Sequence, residues 1–185
     1  MTKEYFDGEV SSGKVERVDC VWISNFKVSL SSFKHIGLIV GRFKLDAIVR
    51  AIDKLHVWSQ SYSSQGRANV GLIHSDLHRK NILVDPTSNK RVTFIDFDDA
   101  IESYYELDVA VILNELEEYH NKDKLKARLL SSYGYVCEDD LDNLQKLANL
   151  LYIEWVFNGT IMNENDFEKK VKFGYDSIEN LMKIN

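Results

Sequence analysis

The sequence predicts an α+β fold that is mostly helical, in which one β-hairpin packs against a bundle of helices. Two observations lead to this prediction. Short apolar runs separated by polar residues occupy the middle of the chain, roughly residues 70–100, and apolar residues at helical spacing lie on both sides of them. The chain has 185 residues, of which 44% are apolar and 28% charged, so it can bury the core of one ordinary domain.

The segment before the hairpin contains one clear helical pattern. It runs from about residue 39 to residue 58, and the polar segment of residues 59–66 is typical of a turn that ends the helix at a glycine. The first 38 residues carry a weaker pattern, in which residues 15–23 resemble a strand. The apolar positions that define the helix are Ile48, Ala51, Ile52 and Leu55.

Two short apolar runs, ILV from residue 82 and VTFI from residue 92, predict the strands of the hairpin. The segment between them contains proline, serine and asparagine and is typical of a turn. If Asp85 pairs near Val92, then Asn81 falls opposite Asp96 at the open end of the hairpin. The sequence therefore predicts that these two oxygen-bearing side chains meet.

Four helices are predicted after the hairpin. The first covers about residues 107–116, the second covers about residues 124–133 and ends at a glycine, the third begins at residue 138, and the last runs over about residues 166–184. The acidic start of the third helix suits a helix N-terminus. Its inward positions are expected to be Leu141, Leu144, Leu147, Leu151 and Trp155.

Residues near the predicted hairpin have side chains suited to chemistry, namely His74, Asp76, Asn81 and Asp96. An asparagine and an aspartate at the end of a hairpin supply the hard oxygen ligands that Mg²⁺ prefers, with positions left for phosphate oxygens. A third carboxylate, that of Asp76, can orient a hydroxyl group and accept its proton. Positioning and charge neutralisation of this kind are what phosphoryl transfer requires.

A second interpretation rests on the alternation of His74, Asp76 and His78. On an extended backbone these three side chains would share one face, as a metal-dependent hydrolase requires. This interpretation leaves Asn81 and Asp96 without a role, so phosphoryl transfer is the favoured hypothesis.

The segment HSDLHRKN at residues 74–81 resembles the catalytic loop H-x-D-x-x-x-x-N of the aminoglycoside phosphotransferase and choline kinase family. The segment FIDFDDA at residues 94–100 resembles the metal-binding strand end of that family, and LDVA at residues 107–110 resembles the structural segment that follows it. The LH pair in the helix before the loop also matches. Ser75 stands where the family usually has glycine. The resemblance implies a protein-kinase-like fold.

By this resemblance Asp76 is the catalytic base, and Asn81 and Asp96 hold Mg²⁺ against the phosphates of ATP or GTP. His74 and Asp108 are implied to support the catalytic loop rather than to take part in chemistry. The implied reaction is the ATP- and Mg²⁺-dependent phosphorylation of a hydroxyl group on a small molecule, aminoglycoside-like or an amino alcohol. The acceptor site is implied to lie in the C-terminal helices.

The family has two lobes, and the sequence accounts for one. An N-lobe needs at least roughly 60 residues at ordinary strand and loop lengths, whereas about 40 residues precede the first predicted helix. We therefore assign residues 1–38 to an N-terminal segment that is not a full N-lobe. Residues 39–185 are assigned to a kinase-like C-lobe, with the loop and hairpin at 70–100 and a helical substrate side at 104–185.

Three interpretations of a lone C-lobe remain open at this point. The chain is a fragment or truncated remnant, a half that pairs with a separate N-lobe chain or within a homo-oligomer, or a non-catalytic kinase-like binding module. The formal net charge of −6 argues against a nucleic-acid partner and suits a cationic small-molecule substrate. No secretory signal and no apolar run of about 20 residues is found, so a cytoplasmic protein without membrane contact is expected.

Overall fold

The computed structural model describes residues 17–30, 45–87, 91–134, 137–158 and 164–183. Helices dominate these ranges and the strands are short, which confirms the prediction of a mostly helical α+β fold. The helices are α1 (Cys20–Ser29), α2 (Leu45–Ser64), α3 (Glu106–Leu116), α4 (Lys122–Tyr133), α5 (Glu138–Asn158) and α6 (Glu164–Met182). The strands are β1 (Val70–Ile73), β2 (Ile82–Val84), β3 (Val92–Phe94) and β4 (Ile101–Tyr104), and a 3₁₀ turn covers Arg79–Asn81.

The core lies between α1, α2, α3, α5 and α6 and the paired strands β1 and β4. Helix α2 contributes the predicted inward positions Ile48, Ile52 and Leu55, all of which are buried. Burial of each such aliphatic side chain stabilises the fold by roughly 1.5–3 kcal/mol. Further large side chains that are fully buried include Ile23, Tyr104, Leu107, Leu141, Leu144, Leu147, Leu150, Ile153 and Ile178.

The strand-like segment predicted at residues 15–23 is helical from Cys20 onward, so that prediction is wrong. The carboxylate of Asp19 accepts hydrogen bonds from the backbone N–H groups of Val21 at 2.8 Å and Trp22 at 3.3 Å. This N-cap satisfies donors that a helix start otherwise leaves free, and it outweighs the β-propensity of the valines nearby. In the described part of this segment, strand pairing is limited to an isolated bridge between Arg17 and Glu102.

Helix α2 continues to Ser64, beyond the predicted end near residue 58; its predicted start at residue 39 lies outside the described residues. The polar segment remains helical because its side chains have partners inside the protein. The hydroxyl groups of Ser59 and Ser63 lie 2.8 Å and 3.0 Å from the phenol oxygen of Tyr104. The chain then turns at Gly66, whose φ of 66° is readily adopted by glycine.

The predicted hairpin of β2 and β3 is confirmed, whereas its predicted register is wrong by one residue. The backbone N–H of Asp85 donates to the carbonyl of Arg91 at 2.9 Å. The turn is therefore one residue shorter than the predicted pairing assumed. As a result Ile95, and not Asp96, lies opposite Asn81, and the Ile95 N–H donates to the Asn81 carbonyl at 3.0 Å.

The four helices after the hairpin begin and end close to the predicted positions. One inward position is wrong, because the Trp155 side chain is 51% exposed and meets Phe173 edge-on at 6.3 Å between ring centroids. Ile153 and Val156 are buried there instead. Helical periodicity alone does not reveal which side a neighbouring helix covers. In the described part of the chain, no helix combines the length and apolar character needed to cross a bilayer.

Candidate active site

The loop of residues 74–81 connects β1 to β2, and the side chain of Asp108 in the first turn of α3 binds its backbone. One carboxylate oxygen of Asp108 accepts from the His74 N–H at 3.0 Å, and the other accepts from the Ser75 N–H at 2.8 Å. Ser75 has a φ of 64°, so this double hydrogen bond fixes a turn in the left-handed region. Burial raises the pKa of the Asp108 carboxyl, although the two backbone hydrogen bonds act to lower it.

His74 joins this loop to the segment that follows β3. Its ring is buried, and Nε2 lies 2.8 Å from the carbonyl oxygen of Ile95 while Nδ1 faces the Asp76 N–H at 3.4 Å. A carbonyl only accepts, so the proton of the neutral ring is assigned to Nε2. The ring also packs at 4.5 Å from the Phe97 ring. Both ring nitrogens are therefore engaged within the protein.

Asn81 and Asp76 form the polar centre of the loop. The buried Asn81 donates through Nδ2 to the Asp76 backbone carbonyl and to Asp76 Oδ2, both at 3.0 Å. This orientation leaves Asn81 Oδ1 as an acceptor to which no described residue donates. Burial raises the pKa of the Asp76 carboxyl; His78 opposes that shift and Asp99 adds to it.

Asp96 follows β3 directly, with a φ of 65° and an exposed side chain. The preceding residue, Ile95, connects this segment to the loop, because it is hydrogen-bonded both to His74 and to Asn81. A further contact runs from the Ser75 hydroxyl group to the backbone carbonyl of Asp99. The structure thus joins His74, Asp76, Asn81 and Asp108 by direct hydrogen bonds, and Asp96 follows Ile95 in the adjoining segment.

A cavity of about 560 Å³ opens beside Asp76, between the loop and helices α3, α5 and α6. Carboxylates outnumber basic side chains on its walls, so we call it the acidic cavity. Burial raises the pKa of the Tyr152 phenol on its wall, and the carboxylates of Asp76 and Glu115 raise it further. The cavity is lined by Asp76, His78, Arg79, Lys80, Asn114, Glu115, Glu117, Glu118, Asn149, Tyr152, Phe173, Asp176, Ser177, Glu179, Asn180 and Lys183.

Sequence reasoning did not identify most of the cavity wall. Phe173, Asp176, Ser177 and Asn180 stand at positions i, i+3, i+4 and i+7 of α6, which is the spacing of one helix face. Helix α6 thus has one largely polar face and one buried face, and this pattern was the available signal for a cavity wall. No comparable pattern marked Tyr152 or Asn149 on α5.

The interpretation of His74, Asp76 and His78 as ligands of a hydrolytic metal is not supported. His74 directs its two nitrogens at backbone groups of Ile95 and Asp76. Across the described ranges, no three histidine, cysteine, aspartate or glutamate side chains are grouped so that they could hold a metal ion.

Comparison with known proteins identifies the family. A family model described as choline/ethanolamine kinase matches residues 13–132, which include the 74–81 loop, the hairpin and α3. A comparison with curated protein sequences gives no match.

Solved structures of small-molecule kinases share the fold. A microcompartment-associated aminopropanol kinase has a TM-score of 0.60 at 26% identity, over 76% of this chain and 45% of its own. The choline kinase LicA from Streptococcus pneumoniae has a TM-score of 0.64 at 15% identity, over 92% of this chain and 57% of its own. An amicoumacin kinase, in complex with AMP-PNP, Ca²⁺ and Ami, has a TM-score of 0.53 at 15% identity, over 92% of this chain and 53% of its own. The chain spans about half the length of these structures, and by the match over most of its residues it belongs to the choline/ethanolamine kinase family.

Proposed function

We propose that the chain forms the substrate-side lobe of a kinase that transfers a phosphoryl group from ATP to a hydroxyl group of a small cationic molecule, such as an amino alcohol. The observation that carries the proposal is the Asp76 carboxylate, which is held by Asn81 at the edge of the acidic cavity. The chain's membership of a kinase family supports the same chemistry.

Asp76 is the proposed catalytic base. Its Oδ2 accepts from Asn81 Nδ2 at 3.0 Å, whereas no described residue donates to its Oδ1. An acceptor hydroxyl bound in the cavity would donate to Oδ1, and its proton would pass to Asp76 as its oxygen bonds to the γ-phosphorus of ATP. The bond between that phosphorus and the β–γ bridging oxygen would break in the same step, and ADP would leave. The raised pKa of this carboxyl makes it a better proton acceptor than an exposed aspartate.

Asn81 and Asp96 are the proposed ligands of Mg²⁺. The donor set fits, because Asn81 Oδ1 is free of hydrogen bonds from described residues and the exposed Asp96 directly follows Ile95, whose N–H donates to the Asn81 carbonyl. Both are hard oxygen ligands of the kind Mg²⁺ prefers, and few of them leave most of its shell to water and phosphate. When bound, the ion would neutralise charge on the phosphates of ATP or GTP.

The acidic cavity is the proposed acceptor site. Its volume of about 560 Å³ lies within the usual range for small-molecule sites. Its excess of carboxylates attracts a cation, and Tyr152 and Phe173 add aromatic faces that favour an ammonium group. The solved structures of similar fold include an aminopropanol kinase and a choline kinase, which is consistent with an amino-alcohol acceptor.

An N-terminal lobe is the proposed partner of the hairpin, supplied by a separate chain, by a second copy or by adjoining sequence. Several apolar side chains of the hairpin are about half exposed, which suits a surface covered by another lobe. ATP would bind between that lobe and Asp96. A kinase-like module that binds without catalysing is the alternative, and it would keep the cavity but not transfer phosphate.

The test combines nucleotide binding with phosphoryl transfer. Calorimetry with ATP and Mg²⁺ should detect binding by the wild type and by Asp76→Asn, and its loss in Asp96→Ala. With an N-terminal lobe from a solved relative added, transfer to choline, ethanolamine, 1-amino-2-propanol or an aminoglycoside, followed by ³¹P NMR, should fall by roughly 10²–10⁴-fold in Asp76→Asn.

Asp123→Asn serves as the matched control, because Asp123 is an exposed aspartate on α4 that does not line the cavity. Asp123→Asn should keep both nucleotide binding and phosphoryl transfer. Transfer that survives in Asp76→Asn would rule out the proposed base. Ligand binding in the cavity without transfer by the wild type, even with an N-terminal lobe from a solved relative added, would favour the non-catalytic module.

A further inference from the structure

His78 is a residue of the 74–81 loop that the proposed mechanism leaves without a role. Its ring is 37% exposed and lines the acidic cavity beside Asp76. The two ring nitrogens point at different groups. Nδ1 accepts a hydrogen bond from the Lys80 N–H at 3.2 Å, and Nε2 lies 3.5 Å from Asp76 Oδ2.

The contact at Nδ1 decides the protonation of the ring. A backbone N–H can only donate, so Nδ1 must present its lone pair, and the proton of the neutral ring is on Nε2. This contact also caps the 3₁₀ turn at Arg79–Asn81, for which His78 is the N-cap residue. The backbone of the turn therefore selects the tautomer that directs an N–H at the Asp76 carboxylate.

The contact at Nε2 bears on which oxygen of Asp76 is available. Asp76 Oδ2 already accepts from Asn81 Nδ2 at 3.0 Å, and the His78 N–H approaches the same oxygen. The separation of 3.5 Å exceeds an ordinary hydrogen bond, as is common for catalytic contacts in unliganded enzymes. The Asn81 hydrogen bond and the His78 contact both fall on Oδ2, which leaves Oδ1 for a ligand hydroxyl group.

We propose that His78 is a positioning residue for Asp76, which uses the Nε2–H tautomer fixed by the Lys80 amide to orient the carboxylate towards the acceptor. The inference rests on the proposed function and goes beyond it, because it assigns the ring a role distinct from that of a helix cap. His78 is not a proton relay, since its Nε2 already carries a proton and cannot take one from Asp76.

Nuclear magnetic resonance tests the tautomer without reference to activity. Long-range ¹H–¹⁵N correlation of ¹⁵N-histidine-labelled protein distinguishes Nδ1-protonated, Nε2-protonated and doubly protonated rings, and the signal absent from His78→Gln identifies His78. We expect the Nε2–H form at neutral pH, and Asp76→Asn should shift the Nε2 resonance while leaving Nδ1 nearly unchanged. A proton on Nδ1, or a spectrum insensitive to Asp76→Asn, overturns the proposal.

Two variants separate the contacts of the ring in the transfer reaction. His78→Asn places an amide oxygen near the Nδ1 position and keeps the cap, whereas His78→Gln places an amide N–H near the Nε2 position and keeps the donor. We expect His78→Asn to lower kcat by roughly tenfold with little change in KM for the acceptor, the size expected for one hydrogen bond to a charged group. His78→Gln should retain kcat within about threefold of the wild type.

Thermal stability provides the readout that distinguishes positioning from a structural role. The cap is retained in His78→Asn, so this variant should keep a higher Tm than His78→Gln. Activity and stability are thus expected to rank the two variants in opposite orders. If kcat follows Tm instead, His78 acts only as a cap and the proposal is wrong. If the wild type transfers no phosphate even with an N-terminal lobe added, the proposed function fails, while the resonance experiment still decides whether His78 holds Asp76.

Discussion

The 74–81 loop and the β2–β3 hairpin are adjacent in the chain but are stabilised in contrasting ways. In the loop, backbone and side-chain polar groups are bound to partners that come from the segment after β3, from α3 and from the loop itself. Arg79 extends this pattern, since its backbone N–H donates to Glu115 at 2.7 Å and its guanidinium reaches Tyr119 at 3.2 Å. In the hairpin, by contrast, the large side chains project into solvent. Leu83, Val84, Val92 and Phe94 are each about half exposed.

This difference shows which part of the site is complete within the described structure. The loop is oriented by interactions that this chain supplies, so its geometry does not depend on a partner. A two-stranded hairpin is marginal by itself, and this one is anchored at its open end by the hydrogen bond between Ile95 and Asn81. Its exposed side chains lie on both faces, because Val84 pairs with Val92 while Leu83 points the other way. We infer that the hairpin is the part whose environment another lobe completes.

Removing the Asp108 carboxylate should have the largest effect on stability. Asp108→Ala leaves the N–H groups of His74 and Ser75 without acceptors in a partly buried place. The free energy of unfolding should fall by about 2–4 kcal/mol, because each unsatisfied donor costs about 1–3 kcal/mol. Urea denaturation followed by circular dichroism measures it. Asp98→Ala, at an exposed aspartate, should change stability by less than about 0.5 kcal/mol; an equal loss in both variants would contradict a specific anchoring role.

The wild type and Asp108→Ala should also differ in pH dependence. Burial raises the pKa of Asp108 above its ordinary value of 3.8. Between pH 3.8 and the native pKa, Asp108 is therefore protonated in the native state but ionised in the unfolded state. That contribution to stability is complete below pH 3.8 and is lost as the pH rises through the native pKa. The stability difference between wild type and Asp108→Ala should therefore be larger at about pH 4 than at about pH 7. A difference that grows with pH would show that the two backbone hydrogen bonds outweigh burial.

The contrast between loop and hairpin also explains what the sequence could predict. The residue types of the loop follow from its chemistry and the hairpin strands from their composition, so both were recognised from local patterns. The register was predicted one residue off, because it depends on how many residues the turn takes up rather than on strand composition. The extension of α2 depends on the distant Tyr104 hydroxyl group, and the cavity wall comes from helices far along the chain. The roles of Asp76, Asn81 and Asp96 stay predictions.

Ser75 allows the strain in the loop to be measured. Its φ of 64° is costly for a residue with a Cβ, and its hydroxyl group donates to the Asp99 carbonyl. Ser75→Ala keeps the strain and loses the hydrogen bond, so we expect a loss of about 1 kcal/mol. Ser75→Gly loses the same bond but relieves a strain of about 1–2 kcal/mol, which should leave stability close to that of the wild type. Equal losses in the two variants, measured by urea denaturation, would mean that the backbone there is not strained.

The smallest effect is expected in the hairpin, where a single substitution tests whether its apolar side chains stabilise this chain. Val84 is 57% exposed, whereas Val111 in α3 is 1% exposed. Val→Thr nearly preserves volume and adds a hydroxyl group, which costs about 1–3 kcal/mol in a core and little in solvent. Val84→Thr should therefore change the free energy of unfolding by less than about 0.5 kcal/mol, and Val111→Thr should lower it by about 1–3 kcal/mol. A loss in Val84→Thr as large as that in Val111→Thr would show that the hairpin is already packed by its own chain, and the case for a covering lobe would lose its structural basis. If an added N-terminal lobe covers the hairpin, Val84 is removed from water in the complex. Val84→Thr should then weaken binding of that lobe while leaving the free energy of unfolding of the isolated chain unchanged.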